Sequence, residues 1–170
     1  VPPRPEGADL LIVRSSLTLL RPNVAWAAIG KLNIPRWTWW GGDDVESKLE
    51  KNWEAKMPSE SSLEWTRDRQ EADEEYKNVS ANKAIELGLV SENLIERMQH
   101  EAIYFLELDP GQHLDIQNWT LCSSGPRWHD GYAPDMYWSG GALCLRGYHS
   151  EYCDPDMRLR KVFPRNPRSS

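Results

Sequence analysis

Cys122, Cys144 and Cys153 are the three cysteines of the chain, and His149 lies between the last two. Two thiolates and an imidazole so close together are donor types that tetrahedral zinc accepts, with Cys122 or His129 as a fourth ligand. The short cysteine pair of most structural zinc sites is missing, and aromatic residues occupy the gaps. The same residues also fit a Cys144–Cys153 or Cys122–Cys144 disulfide, or buried thiols. An oxidising compartment would leave one of the three unpaired. A cysteine nucleophile would need Cys122 or Cys144 to meet His129 or His149, with Asp130 as the orienting group. Glycoside hydrolysis would need paired carboxylates such as Glu107 with Asp109 or Asp115. Spacing fixes neither arrangement. His100 and His113 read as helix-surface and loop histidines, and Gly41-Gly42 and Gly140-Gly141 lack the spacing of a phosphate-cradling loop.

Contact area is the other chemistry the sequence offers. The cysteines share the stretch from Trp119 to Cys153 with seven aromatic residues (Trp119, Trp128, Tyr132, Tyr137, Trp138, Tyr148 and Tyr152) and five glycines. Such side chains supply large surfaces at low entropic cost. A second cluster, Trp37, Trp39 and Trp40, follows Arg36 and precedes Gly41-Gly42. In extended backbone Trp37 and Trp39 share a face and Trp40 takes the other. The cluster suits a protein partner's groove or a membrane interface, or the chain's own core. Trp37, Trp39, Trp40, Trp119, Trp128 and Trp138 are the expected docking residues.

The elements that must position these residues form four regions of one domain. Residues 1–42 read as an extended arm opening on prolines, with a strand or short helix over 10–20, a helical turn near Val24–Ile29 and the tryptophan cluster. Residues 43–108 read as an acidic helical region. Val45, Leu49, Trp53 and Met57 recur at helical spacing after Asp43-Asp44, and a charged helix is expected from Ser61 or Ser62 towards Tyr76. Ser80 is expected to cap a short helix ending at Gly88. Ser91 is expected to cap a longer one carrying Leu94, Ile95, Met98, Ala102, Phe105 and Leu106. Residues 109–156 read as loops and short strands, with strands over His113–Leu121 and Ala142–Leu145. Residues 157–170 read as a basic extended arm. The fold class expected is α+β: a helical middle, an irregular β-like Trp/Gly/Cys-rich C-terminal region and extended Pro-rich termini.

One short segment, Val79 to Val90, resembles the S-A-x-x-A-x-x-x-G-L-V helix-turn of Clp-protease and crotonase-fold enzymes over about twelve residues. The chain departs from that pattern elsewhere, with no alternating β-α repeat before it and no nucleophile turn, so no residue role follows from it.

Charge narrows the functional classes. The net charge of −6 divides into a positive N-terminal region, a strongly acidic body and a basic C-terminus. An acidic body disfavours broad phosphate-backbone contact, so nucleic acid is not an expected partner. No apolar run reaches the length of a membrane span, and no cofactor is implied. Asn78-Val79-Ser80 and Asn118-Trp119-Thr120 match the glycosylation pattern. The leading expectation is a non-enzymatic accessory or linker subunit of a larger, membrane-associated or organellar protein assembly, with surface contact to membrane through Trp37, Trp39 and Trp40. The alternatives are a secreted, disulfide-containing carbohydrate- or ligand-binding module and a cysteine- or zinc-dependent enzyme.

Overall fold

The computed structural model describes residue 1 and residues 3–163. Its class is α+β, with three α-helices and eight strands among the described residues. β1 (Leu10–Arg14) pairs antiparallel with β3 (Ser62–Thr66) as a two-stranded ribbon. The other strands form a six-stranded mixed sheet in the order β2-β7-β6-β5-β8-β4. These are β2 (Arg36–Thr38), β4 (Asp73–Lys77), β5 (Trp119–Leu121), β6 (Ala133–Ser139), β7 (Ala142–Tyr148) and β8 (Met157–Leu159). The hairpin β6–β7 is its centre, turning at Gly140 and Gly141, which both hold positive φ. Only glycine takes that conformation without steric cost.

Strand residues alternate between the two faces of the sheet. One face carries Met136, Leu143 and Leu145 and packs on α1 (Pro22–Lys31) and α3 (Leu94–Ile103) through Trp26, Ile29, Leu94, Ile95, Met98 and Trp128. The other carries Leu121, Ala133, Met157 and Leu159, and α2 (Ala81–Glu86) covers that part of it with Ala81 and Ala84. The ends of α2 follow the expected chemistry. The Ser80 hydroxyl accepts from the Lys83 amide, and Gly88 closes the turn with positive φ. For α3 the cap is Asn93 rather than Ser91, in a reciprocal box with Glu96. Beyond Ile103 the helix widens into a π turn over Tyr104–Leu108, leaving Leu106 exposed.

Several expected elements take another form. Val45, Leu49, Trp53 and Met57 are all buried in the core, but no α-helix carries them. Two short 3-10 turns, Glu46–Lys48 and Trp53–Lys56, are separated by an extended Leu49 that bridges to Trp128 and by a left-handed Asn52. The charged helix expected over 61–76 is instead β3 and β4. There the pattern is inverted: Glu64 and Thr66 are buried while Leu63 is exposed. Glu64 can be buried because Arg14, diagonal to it on the partner strand, pairs with it at 3.3 Å, and the Thr66 hydroxyl donates to the Lys161 carbonyl. The supposed N-terminal arm contributes β1, α1 and β2. The supposed C-terminal arm contributes β8, with Met157, Leu159 and Arg160 buried. The remainder of that arm, residues 164–170, and Pro2 lie outside the described residues.

A buried ionic cluster fastens these pieces together. Asp115, fully buried and left-handed in backbone, accepts from Arg97 Nε at 3.0 Å on one oxygen and from Arg160 Nη2 at 2.7 Å on the other. The Thr120 hydroxyl and the Ala72 amide complete its shell. Arg97 also donates to Glu101 at 2.8 Å, and Arg160 to the carbonyls of Arg69 and Gln70 at 2.7 Å each. Burial opposes the Asp115 charge, but Arg160 and Arg97 outweigh it and hold the carboxyl below its usual range. Removing one partner of such a cluster strands the others. We expect Asp115→Ala to cost about 3–5 kcal/mol of folding stability in equilibrium urea denaturation, or to prevent folding; a loss below about 1 kcal/mol would contradict a fold held here.

Candidate functional site

The second sheet face beside α2 is lined with rings, of which Trp119 and Tyr148 pack against the cluster that Ala81 and Ala84 of α2 belong to. Cross-strand register sets Trp37 beside Cys144 and Cys144 beside Tyr137. Trp119 follows on the next strand, its ring 6.2 Å from that of Tyr137. Trp119, Tyr148 and Tyr152 form a stack: Trp119 and Tyr148 lie 5.5 Å apart and 8° from parallel, Tyr148 and Tyr152 4.9 Å apart and 13° from parallel. Arg146 lies among them. Its guanidinium carbon is 4.0 Å from the Tyr137 centroid, 4.6 Å from Trp119 and 4.9 Å from Tyr148, a cation in a three-ring enclosure.

The guanidinium is anchored from below. Arg146 faces Asp135 across the β6–β7 ladder, and its Nε and Nη2 both donate to Asp135 Oδ2 at 3.1 Å. Asp135 is fully buried, and its Oδ1 has no hydrogen-bond partner. Burial works against the Arg146 charge, but Asp135 more than compensates and the guanidinium pKa is raised. For Asp135 the balance is the reverse: burial exceeds the attraction of Arg146 and lifts the carboxyl to about 6. Burial also lifts Tyr137 to about 12. Trp128 supports β7 from the core side, donating from Nε1 to the Arg146 carbonyl at 3.0 Å, its indole pressed against Gly147.

The expected docking residues divide. Trp37 is 48% and Trp39 44% exposed, at an edge strand of the sheet. Trp40 is half-buried, wedged edge-on between Trp39 and Trp128. Trp119 belongs to the arginine enclosure. Trp138 is half-buried and lies flat on His113 with centroids 3.4 Å apart. Trp128 has no exposed surface. It belongs to the core, because the close approach of Gly147 and the bond to Arg146 enclose it.

The thiols are not brought together. All three are free, Cys122 and Cys144 buried and Cys153 exposed. No trio of His, Cys, Asp or Glu among the described residues is placed to hold a metal. His149 meets Tyr132 edge-on and accepts from the Glu151 amide. Burial pushes the Cys122 thiol well above its ordinary value and raises Cys144, opposite to what an activated nucleophile needs. His100 is fully buried with Nδ1 2.7 Å from Glu92, rather than on the helix surface. His113 packs between Phe105 and Trp138 with Nδ1 2.9 Å from buried Glu101.

No protein-family model matches this chain, and no curated protein or solved structure does.

The Arg146 enclosure is what sequence reasoning missed. Alternation from Asp135 to Tyr137 on one strand, and from Cys144 through Arg146 to Tyr148 on the other, was the available signal.

Two consequences are measurable. A methyl group at residue 147 would overlap the Trp128 ring and approach the Ala133 carbonyl, so Gly147→Ala should cost about 1–3 kcal/mol in thermal or urea unfolding. The second concerns pH. Burial raises Glu96 to about 7 against the pull of Arg14, and Asp135 to about 6. The folded state therefore takes up these protons before the unfolded state does, and stability rises as pH falls from about 7.5 towards 5. Below that window Asp115 and Glu101, held low by Arg160 and Arg97, reverse the trend. Calorimetry at several pH values should show this maximum, with Glu96→Gln flattening its alkaline side.

Proposed function

We propose that this chain is a non-enzymatic accessory subunit that docks onto a larger protein assembly through Trp37, Trp39 and the aromatic face beside them. The observation that carries the reading is the half-exposure of Trp37 on the short edge strand β2 and of Trp39 in the turn just after it, beside that face. Rings of this size kept at the surface mark contact sites more often than scattered aliphatic residues do. Their open area, roughly 230 Å² together, corresponds to about 6 kcal/mol of gross stabilisation on burial. Association itself costs about 4–15 kcal/mol, so the tryptophan pair alone gives weak attachment. The exposed ring of Tyr152 and the half-buried Tyr137 and Tyr148 add to that area. As an edge strand, β2 also offers main-chain groups to a partner strand.

The competing readings have less support. Sugar stacking needs open ring faces, yet Trp119 is covered by Tyr148 and Arg146, Trp128 by the core and one face of Trp138 by His113. Thiol or zinc catalysis needs convergent donors, and Cys144, His149 and Cys153 do not converge. Contact of Trp37 and Trp39 with a membrane interface remains compatible with membership of a membrane-associated assembly. No helix among the described residues is long and apolar enough to cross one.

The test pairs native co-purification from the source cells with vesicle co-sedimentation, using the wild type and the Trp37→Ala/Trp39→Ala double variant. We expect specific polypeptides to co-purify with the wild type and to be lost at least about tenfold from the variant, whose thermal midpoint stays close to wild type. Retention of the same polypeptides by the variant overturns the reading, and binding to vesicles alone replaces the protein partner with lipid.

A further inference from the structure

We propose that Asp135 and Arg146 form an acid-released latch: proton uptake by the buried carboxylate frees the guanidinium from Trp119, Tyr137 and Tyr148 and reshapes the aromatic face. The geometry is lopsided. Both Arg146 donors fall on Oδ2, while Oδ1 has no hydrogen-bond partner. A proton arriving on Oδ1 therefore displaces no hydrogen bond, and it removes the charge that holds Arg146 down. The guanidinium has a route outward, since the Arg146 side chain is 22% exposed whereas Asp135 is wholly enclosed.

Burial favours the neutral acid against the pull of Arg146, and the other groups facing Asp135 bring no second cation. From β7 come Arg146, Cys144 and Tyr148, and Tyr137 stands on its own strand. Asp115 lies before β5 and Cys122 after it. On the α2 side the buried residues are Ala81 and Ala84, neither of which offers a charge or a donor. Arg146 is thus the one cation acting on Asp135 among these groups, and the negative charge of Asp115 opposes a second anion. Burial places the change near pH 6, in mild acid and well above the range of an ordinary aspartate. Once released, Arg146 retains its charge, so the face gains a mobile cation and its rings lose their spacer. The effect on partner binding rests on the docking reading; the latch does not.

The 170-residue chain tests this without any partner, so failure of the docking reading leaves the result standing. Heteronuclear NMR can follow Arg146 Nε–Hε and the Trp119 indole from pH 8 to 5. We expect both to move with a common midpoint near 6 in the wild type. In Asp135→Asn they should occupy the acid-end positions throughout. Glu96→Gln should leave the midpoint unchanged, separating this titration from that of the other buried carboxyl. If Asp135→Asn fails to fold, Arg146→Lys serves instead, and should abolish most of the Trp119 response. A stationary Arg146 signal, or the same titration in Asp135→Asn or Arg146→Lys, overturns the latch.

Discussion

Asp115 carries one negative charge into the middle of the molecule, and the chain closes around it. Arg97 reaches it from α3, Arg160 from the segment after β8, Thr120 from β5 and the Ala72 amide from just before β4. A buried ion pair adds little net stability over apolar packing but penalises any arrangement that leaves one member unpaired. That asymmetry makes the cluster a specifier of topology. The long crossovers of the sheet bring β4, β5 and β8 together at one position, where both arginines meet the Asp115 carboxylate.

The same logic recurs at smaller scale. Arg14 lies between Glu64 and Glu96 and ties β1, β3 and α3. Arg146 and Asp135 tie β6 to β7 at the aromatic face. Mean hydropathy is −0.68, and this protein compensates for scarce apolar material by burying arginine–carboxylate pairs between elements. The cost is carboxyl groups held away from their ordinary protonation range, Glu96 and Asp135 upward and Asp115 and Glu101 downward. Stability is consequently coupled to pH.

This design also explains where pattern reading failed. Glu64 and Thr66 occupy interior positions of β3 and Leu63 an exterior one. A reading that assigns charge to solvent therefore takes β3 and β4 for one solvated helix. Polar residues point inward here because partners distant in sequence meet them: Arg14 lies fifty positions before Glu64, and Lys161 some ninety-five after Thr66. The terminal regions were misread for a related reason. Prolines and basic residues suggest an arm, yet β2 is an edge strand of the main sheet, and Met157, Leu159 and Arg160 are buried.

Local chemistry was legible from the residues alone. The chain determined its α+β character, the Ser80-capped helix ending at Gly88, the apolar stripe of α3 and the Val45–Leu49–Trp53–Met57 burial, since each depends on interactions within a few residues or on simple apolar periodicity. Of the six tryptophans expected to dock, Trp37 and Trp39 are exposed. Tertiary structure alone decided that Trp128 belongs to the core, that the thiols stand apart and that Arg146 sits among three rings above Asp135. Those outcomes depend on strand register and on charges meeting across long separations, and neither is encoded in the spacing of neighbouring residues.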